Sequence, residues 1–150
     1  MAFGVVLGEA VKVSAQVQNS YGEHHALIST NGNTRSISIP PKLTGLGSSA
    51  SGGELLFLAL ATCYCNDIYR EADKRGIRVE RVDVEVNGDF GGPGDPASNI
   101  IFRAKVIADA PEAEIEELMR HTDTVAEIQN TLRAATTVTL IEVESVSAAK

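Results

Sequence analysis

The chain has 150 residues, of which 43% are apolar and 22% charged, with a net charge of −7. That length suits one globular domain over 1–150, and the composition excludes global disorder. The negative surface disfavours nucleic acid and anionic lipid as partners.

Met1 to Gly8 lacks the pattern of a secretory signal. The apolar run Leu55 to Cys65 is too short to cross a bilayer, which takes about 20 apolar residues. Two neighbouring cysteines, Cys63 and Cys65, do not make the disulfide framework of an exported domain. The expectation is a soluble, cytoplasmic protein with free thiols.

In chain order, Val11, Val13, Ala15 and Val17 alternate with polar residues up to Gln18, which predicts a strand with one buried face. Asn19 to Gly22 is a turn cluster, followed by a strand over His24 to Ser29. Asn31-Gly32 is a hairpin signal, because both residues tolerate positive φ. A third strand over Arg35 to Ile39 ends at Pro40-Pro41.

Residues 42–53 read as a Gly/Ser loop. Ser51 and Glu54 have capping-box spacing and predict a helix to about Arg75, with Gly76 as its C-cap. The first half of this helix, Leu55 to Ala61, is apolar on every side, which predicts burial on every side. Its second half, Asp67 to Arg75, is amphipathic.

Ile77 to Val86 reads as a strand with Val82, Val84 and Val86 inward. Val79 is out of phase, which predicts a bulge near Glu80 and Arg81. Gly88 to Ser98 is a Gly/Pro loop, and Ile100 to Ala108 a strand. Asp109 and Pro111 open a helix to about His121 with Ile115, Leu118 and Met119 on its buried stripe. Thr124 and Glu127 repeat the capping-box spacing and predict a short helix to about Leu132; Val138 to Val146 closes as a strand. The order predicts an α+β fold with an antiparallel six-stranded sheet and a long central helix. An all-round apolar helix in so short a chain also points to a homodimer that shares the core.

The stretch Ser51-Gly-Gly-Glu54-Leu-Leu-Phe-Leu-Ala-Leu-Ala-Thr-Cys63, the segment Gly76-Ile-Arg-Val-Glu80, and Asn130-Thr131-Leu132 before a strand together resemble the OsmC/Ohr family. The resemblance spans nearly the whole chain. It implies an intertwined homodimer and thiol-dependent reduction of organic hydroperoxides in oxidative-stress defence. In that chemistry a peroxidatic thiolate becomes a sulfenic acid, which a resolving cysteine captures and an external thiol reduces. An arginine and a glutamate hold the thiolate ready.

Carried over by position, the resemblance puts the peroxidatic sulfur at Cys63. The resolving position falls on Ala126 and the glutamate position on Gly53, with Glu54 the neighbouring acid. The hairpin arginine is missing; His24 and His25 stand in that region, and Arg35 is the only arginine among the first 50 residues. The candidate catalytic set is therefore Cys63, Glu54 and Arg35.

Each candidate also has a plain structural role. A free cysteine on an apolar helix packs as a small hydrophobe. Cys63 lies too deep in the helix to feel its N-terminal dipole. Glu54 is explained as a cap by Ser51. Cys65 is a poor resolver, because residues i and i+2 on a helix point about 200° apart, whereas a disulfide needs Cβ atoms about 3.8 Å apart. Cys65 reads as a core residue, and an external thiol would resolve Cys63.

Adjacent strand histidines and a Cys-x-Cys helix both diverge, so no metal is assigned to His24, His25, His121 or the cysteines. Gly91 to Gly94 lacks any nucleotide-binding context, and no cofactor is assigned. Two readings stay open. One is a hydroperoxide reductase with Cys63 as nucleophile. The other is a non-catalytic dimer that binds a small apolar ligand at the subunit interface.

Overall fold

The computed structural model describes residues 10–149. The segment Met1 to Gly8, read above for a signal, lies outside them. The chain divides into two compact units, one within 1–55 and the other within 56–150.

The first unit is an antiparallel meander of β1 (Val13–Ser20), β2 (Glu23–Thr30) and β3 (Asn33–Ile37), in the order β1-β2-β3. Both predicted turns form. Gly22 sits at φ 76°, and Asn31 and Gly32 at 47° and 82°, the left-handed pair that a two-residue hairpin needs. The register pairs Val17 with Ala26 and Ile28 with Arg35. The expected one-sided burial of β1 is not found, since every β1 residue is exposed and Val13 retains 73% of its surface. Alternation creates an apolar face, but it stays exposed among the described residues.

The long helix α1 (Gly52–Lys74) begins as its capping box requires. The Glu54 N–H donates to Ser51 Oγ at 3.1 Å, and the Ser51 N–H donates to Glu54 Oε1 at 3.0 Å. It ends at Gly76, φ 67°, with the Ile77 N–H reaching Ala72 O and the Gly76 N–H reaching Asp73 O. This pair of bonds satisfies the last carbonyls and turns the chain into the next strand.

In the second unit β4 (Arg78–Asp89) and β5 (Ser98–Asp109) form a two-stranded antiparallel ribbon. The bulge foreseen near Glu80 is present between Val79 and Arg81. It puts Val79 on the same face as Val82 and Val84. That face packs against Tyr64, Ile68 and Ala72 of α1 and Leu118 of α2 (Glu112–Val125). Tyr64 lies 5.0 Å, ring to ring, from Phe102 and donates its hydroxyl to Met119 O at 2.8 Å. The helix α3 (Glu127–Arg133) follows α2 after one extended residue, Ala126.

Four further expectations are corrected. In place of the predicted six-stranded sheet, the described residues form five strands in two sheets. Val138 to Val146 forms no strand and stays exposed, since no described strand pairs with its backbone. The first half of α1 is not buried all round: Leu58 is 61% exposed, and only Leu60 is buried there. The Thr124 capping box does not form. Thr124 is still helical, and its hydroxyl donates back to His121 O at 2.6 Å.

A second irregularity, between Asn87 and Asp89, was not foreseen. It places Gly88 under the ring of Phe57, where an added Cβ would stand 2.6 Å from a ring carbon. Gly88→Ala should therefore destabilise the second unit by about 1–3 kcal/mol through overpacking. Thermal unfolding of the two proteins measures this; equal midpoints would show that the ring moves aside freely.

Candidate thiol site

The buried stripe of α1 runs Leu60, Tyr64, Asp67, Ile68, Glu71, Ala72. The spacing is that of one helix face, yet two of its members are carboxylates, 6% and 4% exposed. Cys63 borders this stripe, half-buried, facing α3. Its thiol donates to Asp67 Oδ2 at 3.4 Å, and Glu127 Oε2 lies 3.8 Å from the sulfur.

The other oxygen of each carboxylate meets Arg70. Arg70 Nη1 is 3.1 Å from Asp67 Oδ1 and donates to Glu127 Oε1 at 2.7 Å. Arg70 Nε donates to Glu71 Oε1 at 3.0 Å, and Nη2 donates to Val125 O at 3.3 Å. Glu71 also accepts from Lys74 Nζ at 3.0 Å and faces His121 Nε2 at 3.4 Å. On the α3 side, the Gln129 amide donates to Leu60 O at 2.9 Å, while its carbonyl oxygen is buried without a partner.

This environment sets the ionisation. Burial pushes the Cys63 thiol up, and the charges of Asp67 and Glu127 add to that; the Ile128 N–H works the other way. Burial raises the Asp67 carboxyl as well, helped by its hydrogen bond with Glu127. Glu127 is lowered, because its own backbone N–H and Arg70 outweigh its burial. Glu71 is lowered to about 2 by hydrogen bonds from Lys74 and Arg70. Burial lifts Tyr64 to about 12.

Cys63 Sγ and one oxygen each of Asp67 and Glu127 lie within 4.8 Å of one another. Arg70 already supplies the positive charge between the two carboxylates, so the trio is not assigned to a metal.

The sequence-derived set divides as follows. Cys63 sits at a charged seam, among groups that can take its proton. Glu54 is committed to the Ser51 cap. Arg35 is an exposed residue of β3. Cys65 is half-buried and free, like Cys63. His24 is half-buried and His25 exposed, so the two do diverge. Asp67, Arg70, Glu71 and Glu127 were missed. Asp67 follows Cys63 by one helical turn and shares the apolar stripe with Tyr64 and Ile68, and that coincidence was the available signal. Glu127 had none, because its approach to Cys63 is a tertiary contact.

These features define a class: an α+β protein whose long helix carries a half-buried thiol among titratable partners. Residues 45–141 match the family of OsmC-like proteins, and the chain belongs to that family. Solved structures agree on the fold. An OsmC-like protein from Mycoplasma pneumoniae is 17% identical with a TM-score of 0.60, over 85% of this chain and 89% of that one. An OsmC-like protein of unknown function from Vibrio cholerae O1 biovar eltor is 14% identical with a TM-score of 0.53, over 82% and 93%. An organic hydroperoxide resistance protein OsmC from Legionella pneumophila is 18% identical with a TM-score of 0.50, over 81% and 89%. No protein of curated function matches this chain. Among the described residues, no helix is long and apolar enough to cross a membrane.

The lowered Glu71 carboxyl has a consequence for stability. Its folded pKa lies below its unfolded value, so between the two the unfolded chain binds more protons and stability rises with pH. The contribution is complete above about 4.5 and is lost as pH falls towards about 2. The unfolding midpoint should drop across that window, and Glu71→Gln should flatten the drop. An identical acid profile in the variant would contradict this assignment.

Proposed function

We propose that the protein is a thiol-dependent hydroperoxide reductase in oxidative-stress defence, with Cys63 as its single redox cysteine. The observation that carries this reading is the 3.4 Å hydrogen bond from the Cys63 thiol to Asp67. A thiol raised by burial needs a base, and a carboxylate itself raised by burial is a better proton acceptor than an ordinary one. A neighbour of the same family described as an organic hydroperoxide resistance protein points the same way.

The chemistry balances with these groups. Asp67 takes the thiol proton as the sulfur attacks the terminal oxygen of the hydroperoxide. The O–O bond breaks and an S–O bond forms. The departing alkoxide takes the proton from Asp67 and leaves as an alcohol, with Cys63 oxidised to sulfenic acid. Ala126 stands where the family resemblance puts a resolving cysteine, so an external thiol condenses with the sulfenic acid and releases water. A second thiol then regenerates Cys63 and leaves as the disulfide. The apolar run that precedes Cys63 in sequence suits alkyl or lipid hydroperoxides.

The working unit in this reading is a homodimer in the cytoplasm. Two exposed stretches support it: the apolar side of β1, with Val13 and Val17, and the unpaired segment holding Val138, Leu140, Ile141 and Val143. A second copy would cover both, as buried apolar surface requires.

One observation favours a second reading. A raised thiol surrounded by carboxylates is a poor nucleophile at rest. The rival is a non-catalytic dimer that holds a small apolar ligand at the subunit interface.

Peroxide consumption with an excess of a small dithiol decides between them. The wild type should turn over cumene hydroperoxide, Cys63→Ser should lose all of it, and Asp67→Asn should slow it by about 10²-fold. Equal consumption by wild type and Cys63→Ser would exclude the reductase. In a second assay, Ala126→Cys should acquire a peroxide-dependent cross-link to Cys63, read by peptide mass spectrometry.

A further inference from the structure

The two carboxylates beside Cys63 divide their oxygens. Asp67 Oδ2 and Glu127 Oε2 face the sulfur, while Asp67 Oδ1 and Glu127 Oε1 face Arg70. Each carboxylate therefore bridges the thiol and the cation through different oxygens. The rest of the guanidinium is committed as well, with Nε on Glu71 and Nη2 on Val125 O. Glu71 is the fixed end of this arrangement. It is 4% exposed and is held by Lys74 from its own helix and by His121 from α2.

We propose that Glu71 is a positioning residue: it anchors Arg70 in a carboxylate clamp whose cation is committed to the carboxylate oxygens that do not face the Cys63 sulfur, and the clamp keeps this thiol slow towards electrophiles. The charged and titratable groups involved come from each element of the seam. They are Asp67, Arg70, Glu71 and Lys74 on α1, His121 on α2 and Glu127 on α3. Reactive cysteines elsewhere gain speed from an unshared cation. Here one guanidinium serves three carboxylates, so little of its charge reaches the sulfur. Loss of the Glu71 charge would leave Arg70 less fully compensated and only weakly tethered at Nε. Its field at Cys63 would then grow.

The inference is independent of peroxide turnover, because an alkylating agent reads it directly. The experiment is the rate of iodoacetamide modification of Cys63 against pH, by peptide mass spectrometry, with Cys65 in the same samples as an internal reference. Glu71→Gln should shift the Cys63 midpoint to lower pH and raise its rate near neutrality by about two- to tenfold, leaving Cys65 unchanged. Glu127→Gln, at a largely exposed carboxylate that faces the sulfur itself, should raise the Cys63 rate by about tenfold. An unmoved Cys63 profile in a folded Glu71→Gln protein overturns the proposal. A parallel rise at Cys65 would report loosened packing, and Glu127→Gln then decides: no acceleration there also overturns the clamp. Acceleration in both variants with no peroxide consumption by the wild type would sink the reductase reading and leave the clamp intact.

Discussion

Burying two carboxylates on one helix face is the constraint that organises the second unit. Asp67 and Glu71 are one turn apart on the stripe that packs α1 into the core, beside Tyr64, Ile68 and Ala72. An ionised carboxylate removed from water without a partner costs several kcal/mol. Arg70 answers both acids and also donates to α3 and to the last residue of α2. Its contacts with Val125 O and Glu127 fix where α3 lies against α1. The Gln129 amide on Leu60 O extends that seam towards the start of α1. The surroundings of Cys63 are thus a by-product of solving the desolvation of α1.

That origin explains the character of the thiol. Two routes give a reactive cysteine at neutral pH: a cation that stabilises the thiolate, or a base that removes the proton as the reaction proceeds. Cys63 lies well past the first turn of α1, beyond the reach of the helix N-terminus. The nearby guanidinium is shared among carboxylates. The first route is therefore weak, and in the proposed reaction Asp67 supplies the second. Its lift by burial makes it a stronger base, while Glu127, held low by Arg70, stays ionised. The two acids differ in role because only one of them is buried on the stripe.

What could be read from the sequence was the chemistry of short range. The Ser51/Glu54 cap, the Asn31-Gly32 turn, the Gly76 stop and the Val79 bulge each involve residues within a few positions, and each is found. The failures involve cover that comes from elsewhere. Leu58 has the same local pattern as Leu60 but is left 61% exposed by the described residues. Thr124 and Glu127 have the spacing of a cap, yet α2 continues through Thr124 because its hydroxyl finds a carbonyl within the helix. At the site, Cys63 was legible through the motif it ends. Its partners were not, because Glu127 approaches across 64 positions of chain. Asp67 was within reach of inspection: an acid in phase with Tyr64 and Ile68 can only be buried, and a buried acid must be paired.

The exposed apolar surface follows the same logic in reverse. Val138 is 97% exposed, and Leu140, Ile141 and Val143 are nearly as open. These are strand-forming residues with neither side-chain cover nor ladder partners. The apolar side of β1 is uncovered too, on a strand at the edge of its sheet. Burial of one aliphatic side chain contributes about 1.5–3 kcal/mol, so leaving several in water forfeits more than most single contacts supply. A sequence that forms caps, turns and a bulge so consistently would not leave such stretches bare without a use for them. In the proposed dimer a second copy would cover both, since what one chain leaves uncovered its twin leaves uncovered as well. The dimer reading therefore rests on the energetics of exposed surface, separately from any argument about the thiol.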